Sequence, residues 1–267
     1  MTTKYPRISI VTPVFNSVTM IEQTILSVLE QRYPNLEYII IDGGSTDGTV
    51  DVIRRYENQL SYWVSEPDNG MYDAIMKGFL HATGDVMAWI NSDDMYHTNA
   101  LHIVGQIFSQ LPHVEWLTGI PTMYNVEGLC TKVFPIQFWS WQRFQCGDFR
   151  WIQQESTFWK RSLWEKVGGL DLRYHLAADF NLWCKMFQYA PLYSVNTILG
   201  GFRLHEKQLS IGKNDEYETE VEALCTQYGI RNTPNYFNRY VTTFWCSRKH
   251  NIVLYDFNIN QWNTKIK

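Results

Sequence analysis

The chain has 267 residues, 45% hydrophobic and 19% charged, with a formal net charge of −4. That length builds one large α/β domain or two small ones, and the mild negative charge excludes the global basic field of a nucleic-acid binder. Five scattered cysteines, at 130, 146, 184, 225 and 246, show no CxxC spacing, which argues against a disulfide framework and a zinc site and predicts reduced thiols and a cytoplasmic location.

"MTTKYPRISIVTP" shows no charged region running into a long apolar one, so no signal peptide is read. No run reaches the roughly 18 apolar residues of a spanning helix. Arg7–Thr12 is short and β-branched and predicts a strand. Met20–Gln31 predicts a helix with Ile21, Ile25, Val28 and Leu29 on one face, closed by Tyr33-Pro34-Asn35. Leu36–Asp42 is the next strand, and "GGSTDGTVDVIRRY" opens a helix with Ser45 or Thr46 as N-cap. Leu60–Glu66, Gly70–Thr83 and Asp85–Asn91 read as strand, helix and strand. This alternation implies a mostly parallel sheet covered on both faces.

The regular alternation stops after Asp94. Helices are expected at Asn99–Leu111, before Gly168-Gly169, at Ala178–Tyr189 and at Asn214–Gly229. Between them lies the aromatic loop "FWSWQRFQCGDFRWI" (Phe138–Ile152), and the last 30 or so residues are aromatic and mildly basic. Aromatics make up 15% of the chain and fit either a sugar-stacking surface or an aromatic core.

In an open parallel sheet, ligands collect beyond the carboxyl ends of the strands. Those ends here are Thr12-Pro13-Val14-Phe15-Asn16, Asp42-Gly43-Gly44-Ser45, Glu66-Pro67-Asp68-Asn69-Gly70 and Asn91-Ser92-Asp93-Asp94. Carboxylates at three neighbouring ends are too many for an empty crevice. "DGGSTDG" is not GxGxxG and follows the second strand, and no GxxxxGK[ST] exists, so a dinucleotide or P-loop cradle is weak. A divalent cation holding phosphates, Mn²⁺ or Mg²⁺ among hard oxygen ligands, is the expected solution.

Six segments stand in register: "SIVTPVFN", "IIIDGGSTDGT", "SEPDNGMYDAIMKG", "GDVMAWINSDD", "QQESTFWKRSLWEKVGGLD" and "AADFNLW". Together they resemble a family 2 glycosyltransferase of the GT-A fold, of the inverting, non-processive type, over roughly Arg7 to Ser210. The resemblance implies an α/β fold with a mostly parallel Rossmann-like central sheet flanked by helices. It implies a nucleotide-sugar-binding half at residues 1–95, a smaller acceptor-binding half at 96–210 and a helical C-terminal extension at 211–267.

It also implies roles. Thr12, Pro13 and Phe15 would line the nucleobase pocket, and Asp42 would accept a hydrogen bond from the base, typically an imino N–H of uracil. Ser92-Asp93-Asp94 takes the place of the DxD motif, with Asp94 on the metal and Asp93 on the ribose or the metal's waters. Asp73 would lie near the donor sugar and phosphate, Asp179 would be the general base, and His205 would complete the metal shell. Two departures from the family stand out: Ile75 and Met76 replace a pair that often ends in Asn, and Ala178 replaces the acid that commonly precedes the base.

Plainer readings stand beside these roles. Asp42 and Asp179 would cap helices, Asp73 would pair with Lys77 at i, i+4, and His205 would be a structural hydrogen-bonder. The implied activity is a metal-dependent transfer from a UDP-sugar to a glycan or lipid-linked glycan. The alternatives are an inactive nucleotide- or carbohydrate-binding protein and a sugar nucleotidyltransferase, which would carry a basic, Gly-rich loop where "TPVFNSVTM" has neither. QxxRW and spanning helices, the marks of processive relatives, are absent from the sequence. The tail Tyr236–His250 fits a helix packed on the body or a segment lying on the inner face of an anionic membrane.

Overall fold

A computed structural model describes residues 5–146, 152–205, 214–230 and 251–266. Nine strands form the main sheet: β1 (Ile8–Val14), β2 (Leu36–Asp42), β3 (Tyr62–Ser65), β4 (Val86–Trp89), β6 (Trp116–Thr118), β9 (Thr157–Lys160), β10 (Tyr193–Val195), β12 (Asn251–Asp256) and β13 (Gln261–Ile266). Their order is β13-β12-β10-β6-β9-β4-β1-β2-β3. The β4-β1-β2-β3 half is parallel, as the alternation predicts, while β9 runs antiparallel to both β4 and β6. A second sheet, β5-β11-β7-β8, is built from Met95–Tyr96, Gly200–Arg203, Thr122–Tyr124 and Cys130–Val133.

The helices are α1 (Ile21–Leu29), α2 (Thr49–Arg54), α3 (Met71–His81), α4 (Ala100–Gln110), α5 (Trp141–Gln145), α6 (Arg161–Val167), α7 (Ala178–Phe187) and α8 (Asn214–Tyr228). Isoleucines 21 and 25 and Val28 of α1 are fully buried and Leu29 is partly so, so the predicted stripe faces the core. Gly78 lets α3 lie directly on the sheet, because a Cβ there would collide with Val11 and Ile41. Pro13 sits inside a central strand without harm: β4 pairs with β1 only as far as Val11, and Ile90 N donates to Val11 O. Beyond that point β1 has one neighbour, so the missing N–H of proline costs no ladder bond.

Two expectations change. The second helix starts at Thr49, after Gly48 in the left-handed region (φ 101°), not at Ser45 or Thr46. Ser45 Oγ instead accepts from Asn16 N at 2.7 Å. The C-terminal extension is only partly helical. After α8, residues 251–266 form an antiparallel hairpin whose β12 adds to β10 and extends the main sheet. The tail Tyr236–His250 lies outside the described residues.

The aromatic excess goes largely inward. Trp89, Trp116, Trp159 and Trp183 pack together beneath β4, β6 and β9, with Trp89 and Trp183 stacked at 6.1 Å and Trp89 edge-on to Trp159 at 5.4 Å. Trp139 and Phe144 of the aromatic loop are buried too, with Phe144 against Phe180 and Phe187. These two rings are core and are not free to stack on an acceptor; residues 147–151 of that loop lie outside the described residues. No helix among the described residues is long and apolar enough to cross a membrane.

Candidate active site

The strand order reverses at β1, whose successor β2 lies on one side and β4 on the other. A crevice opens at the carboxyl ends of such a pair, and the chain places its polar loops there. Asp42 ends β2 and is fully buried. Its Oδ2 accepts from Gly44 N (3.1 Å), Ser45 N (2.9 Å) and Ser65 Oγ (2.6 Å). Asp42 therefore folds the loop that follows it and caps no helix. Its Oδ1 is buried with no hydrogen-bond partner among the described residues. An orphaned carboxylate oxygen is costly unless a donor arrives from outside.

Beside it, Phe15 is 64% exposed and offers a free ring face at the rim. Pro13 is buried beneath it. Thr12 is buried as well, and its hydroxyl lies 3.1 Å from Tyr38 OH, so it supports the crevice from below and does not line it.

The turn Asn91–Asp94 leaves β4 at the centre of the crevice. Helix α1 anchors it: Thr24 Oγ1 lies 2.9 Å from Ser92 O and 2.8 Å from Asp94 O. The two carboxylates of the turn part company. Asp94 is fully buried, with Oδ1 accepting from Arg203 N at 2.9 Å and Oδ2 3.4 Å from Asn91 Nδ2. Burial, then the charges of Asp93 and Glu155, push its pKa well up, against the pull of Arg203. Asp93 is partly open, and its Oδ2 lies 2.8 Å from His205 Nε2. His205 thus meets Asp93, the member of the doublet that faces the crevice.

Asp179 occupies the first turn of α7. Its Oδ1 accepts from Phe180 N at 2.7 Å and lies 3.2 Å from Tyr72 OH of α3. Burial raises its pKa and the Phe180 and Tyr72 hydrogen bonds lower it, with a net upward shift. Between the two sides sits Glu155, in the turn Gln154–Ser156 that enters β9. It is 3% exposed, and its Oε1 has no partner among the described residues. Gly200 makes this turn fit, since a Cβ on Gly200 would strike the Glu155 carbonyl. Burial, reinforced by Asp93 and Asp179, lifts Glu155 from the usual 4.5 to about 8.

Asp73 takes its plain role. Its Oδ2 accepts from Asn69 N at 3.0 Å, tying down the start of α3, and sits 3.5 Å from Lys77 Nζ. Lys77 also reaches Glu66 at 3.4 Å. The site therefore gathers Phe15, Asp42, Asp93, His205 and Asp179 at one edge of the sheet, with Asp94 behind them and Asp73 engaged on α3. Glu155 is the residue that sequence reasoning missed. Its only signal was an acid in the otherwise uncharged "IQQESTFW", and nothing in the spacing places that acid between Asp93 and Asp179.

The raised Glu155 makes a stability prediction. The unfolded chain releases this proton near 4.5 and the folded chain holds it to about 8. The stability that protonated Glu155 contributes is complete at low pH and is lost as pH rises through about 8. Glu155→Gln keeps the neutral shape, so its Tm should gain on wild type from pH 5 to pH 8, at about 2–4 °C per kcal/mol. A Tm difference that stays constant over that range would contradict the placement.

The donor set suits a divalent cation: a carboxylate and an imidazole at 2.8 Å, backed by two further buried carboxyls with raised pKa values. Among the described residues no cluster of three or more acidic, His or Cys side chains forms a complete cage.

The glycosyl transferase family 2 model matches residues 9–120, from β1 through β6. An uncharacterized glycosyltransferase of Mycobacterium tuberculosis is 36% identical over 181 residues, which are 66% of this chain and 67% of the relative. A PGL/p-HBAD biosynthesis glycosyltransferase from Mycobacterium bovis is 26% identical over 185 residues, 67% of this chain and 70% of that one. Among solved structures, Staphylococcus aureus TarS 1–349 with UDP-GlcNAc superimposes with a TM-score of 0.61 at 16% identity, over 87% of this chain and 69% of TarS 1–349. The longer TarS chain is covered to 39%. The mannosyltransferase PcManGT of Pyrobaculum calidifontis, in complex with GDP-Man and Mn²⁺, gives a TM-score of 0.61 at 18% identity, over 83% of this chain and 65% of that one. These neighbours share the GT-A fold. With a mostly parallel sheet that opens at the β1/β4 reversal and a relative of this identity and coverage, the chain belongs to glycosyltransferase family 2 and is a transferase enzyme.

Proposed function

We propose that the chain is an inverting, divalent-metal-dependent glycosyltransferase that moves a sugar from a nucleoside-diphosphate donor, UDP favoured, to a hydroxyl of a glycan or lipid-linked glycan. The observation that carries this reading is the division of labour among carboxylates. Asp93 with His205 stands at the end of β4, and Asp179 stands across Glu155 on α7. Leaving-group and nucleophile activation need charge on opposite sides of the donor sugar, and the site is split that way.

In this reading Asp93 and His205, and not the buried Asp94, would hold Mn²⁺ or Mg²⁺. The cation supplies positive charge where the diphosphate leaves. Asp42 Oδ1 accepts the imino N–H of the base, and Phe15 stacks on the ring. Asp179 takes the proton of the acceptor hydroxyl, within the reach that Tyr72 and Phe180 N–H set for it. Residues 1–95 supply the donor contacts, and residues 96–210 supply the acceptor contacts and the base. The neighbours support a nucleotide-sugar donor without deciding the base, because one binds UDP-GlcNAc and the other GDP-Man. A cytoplasmic enzyme with peripheral membrane contact through Tyr236–His250 fits a lipid-linked acceptor.

Incubation with Mn²⁺ and a panel of UDP- and GDP-sugars tests the reading through released nucleoside diphosphate. Turnover of a UDP-sugar that excess chelator stops is expected. Binding without turnover across the panel, with glycan acceptors added, would favour an inactive binding protein. Release of pyrophosphate from a nucleoside triphosphate and a sugar phosphate would mark a nucleotidyltransferase.

A further inference from the structure

Helix α7 supplies little of its own cap: within it, Asp179 takes only Phe180 N. Its N-cap is Ala177, which has no side chain to accept the free N–H groups at that end. One of those groups, Ala177 N, and the two N–H groups of the loop before it are taken by Glu220 of the C-terminal helix α8. Glu220 Oε1 accepts from His175 N at 2.9 Å, and Oε2 accepts from Leu176 N at 3.0 Å and Ala177 N at 2.8 Å. One carboxylate thus binds three successive backbone N–H groups, ending two residues before Asp179. The same loop is pinned twice more. Tyr174 OH reaches Gln227 of α8 at 3.2 Å, and Tyr72 OH, which also faces Asp179, lies 3.0 Å from Leu176 O. Val221, Leu224 and Cys225 are buried, so α8 is seated on the body and its carboxylate is held in place.

We propose that Glu220 is a positioning residue of the transfer reaction: it binds the N–H groups of the loop that leads into α7 and so fixes the segment that presents Asp179 to the acceptor hydroxyl. The inference rests on the reading of Asp179 as the base. It makes the C-terminal helix, which no motif of the donor site includes, part of what sets the rate.

Two consequences separate this role from simple bracing. A negative end placed on three N–H groups leading into a helix fixes geometry, so its loss should lower kcat and leave donor KM unchanged. Glu220 is also a negative charge near Asp179 and contributes to its raised pKa. The other titratable groups facing Asp179 are Tyr72 of α3, Glu155 of the turn before β9 and Tyr217 of α8. None of them is cationic, so removing the Glu220 charge moves Asp179 in one direction only, downward.

The test compares full-length wild type, Glu220→Gln, Glu220→Ala and Asp179→Asn. The Asp179 carboxyl is titrated by carbon-13 NMR, with Asp179→Asn assigning the resonance. Amide exchange is followed at residues 175–177. Turnover is measured with Mn²⁺ and whichever of UDP-GlcNAc and GDP-mannose the wild type consumes. In Glu220→Gln we expect a lower Asp179 pKa, faster exchange at those three amides, and kcat reduced about tenfold to a hundredfold with KM within about twofold. The acid limb of the kcat profile should move down with the titration. Glu220→Ala should show the same changes more strongly in its folded fraction. An unchanged titration and kcat in Glu220→Gln, even with a lower Tm, overturns the proposal. Full activity in Asp179→Asn would instead remove the base reading, while titration and exchange would still decide whether Glu220 sets the Asp179 loop.

Discussion

Asp179→Asn lowers transfer by about 10²–10⁴-fold, the usual contribution of a positioned general base, and leaves nucleotide affinity within about twofold. The amide is isosteric and its oxygen still accepts from Phe180 N and faces Tyr72, so α7 keeps its first turn. What is lost is the ability to take a proton. Burial raises the Asp179 pKa, so the wild-type kcat should fall as pH drops through a value above the ordinary carboxylate range, and that limb should vanish in the variant. Calorimetry with UDP and Mn²⁺ and a pH–rate profile check both halves. If nucleotide binding falls as far as turnover, Asp179 belongs to the donor site and the assignment fails.

The β1–β4 half of the fold was legible because its signals are local. Strands of one apolar period, helices of another and polar residues at the strand ends place Asp42 and Asp93 at one edge without any long-range knowledge. The remainder depends on tertiary contacts that spacing does not encode. Glu155 and Glu220 look like an isolated acid and a surface helix acid; only the approach of Gly200 to the Glu155 turn, and of α8 to the loop before α7, gives them work. The C-terminal hairpin did leave a signal. "IVLYD" and "WNTKI" flank "FNIN", with Asn260 at φ 51° and Asn258 N bonded to Asp256 Oδ1. The basic, aromatic composition of the preceding residues favours a helix instead. Within the acidic doublet, sequence order alone cannot say which carboxylate faces the ligand. Adjacent side chains at a turn diverge, and their partners, Arg203 at the end of β11 and His205 just beyond it, lie far off in the sequence.

That divergence gives adjacent aspartates opposite expected phenotypes. Asp93→Asn weakens the carboxylate–imidazole pair that faces the crevice, so UDP binding should lose its dependence on Mn²⁺ and kcat should fall at least about 10²–10³-fold, as for other groups aimed at developing charge. The fold should be untouched, because Asp93 contacts only His205 among the described hydrogen bonds. Asp94→Ala removes the buried carboxylate that accepts from Arg203 N, at a cost of about 1–3 kcal/mol. The folded Asp94→Ala protein should still bind UDP more tightly with Mn²⁺ than without. Denaturant titration and calorimetry on the two variants separate them. Were Asp94→Ala, and not Asp93→Asn, to abolish the metal response at normal stability, the buried carboxylate would have to turn outward on binding. The cation would then sit with Asp94.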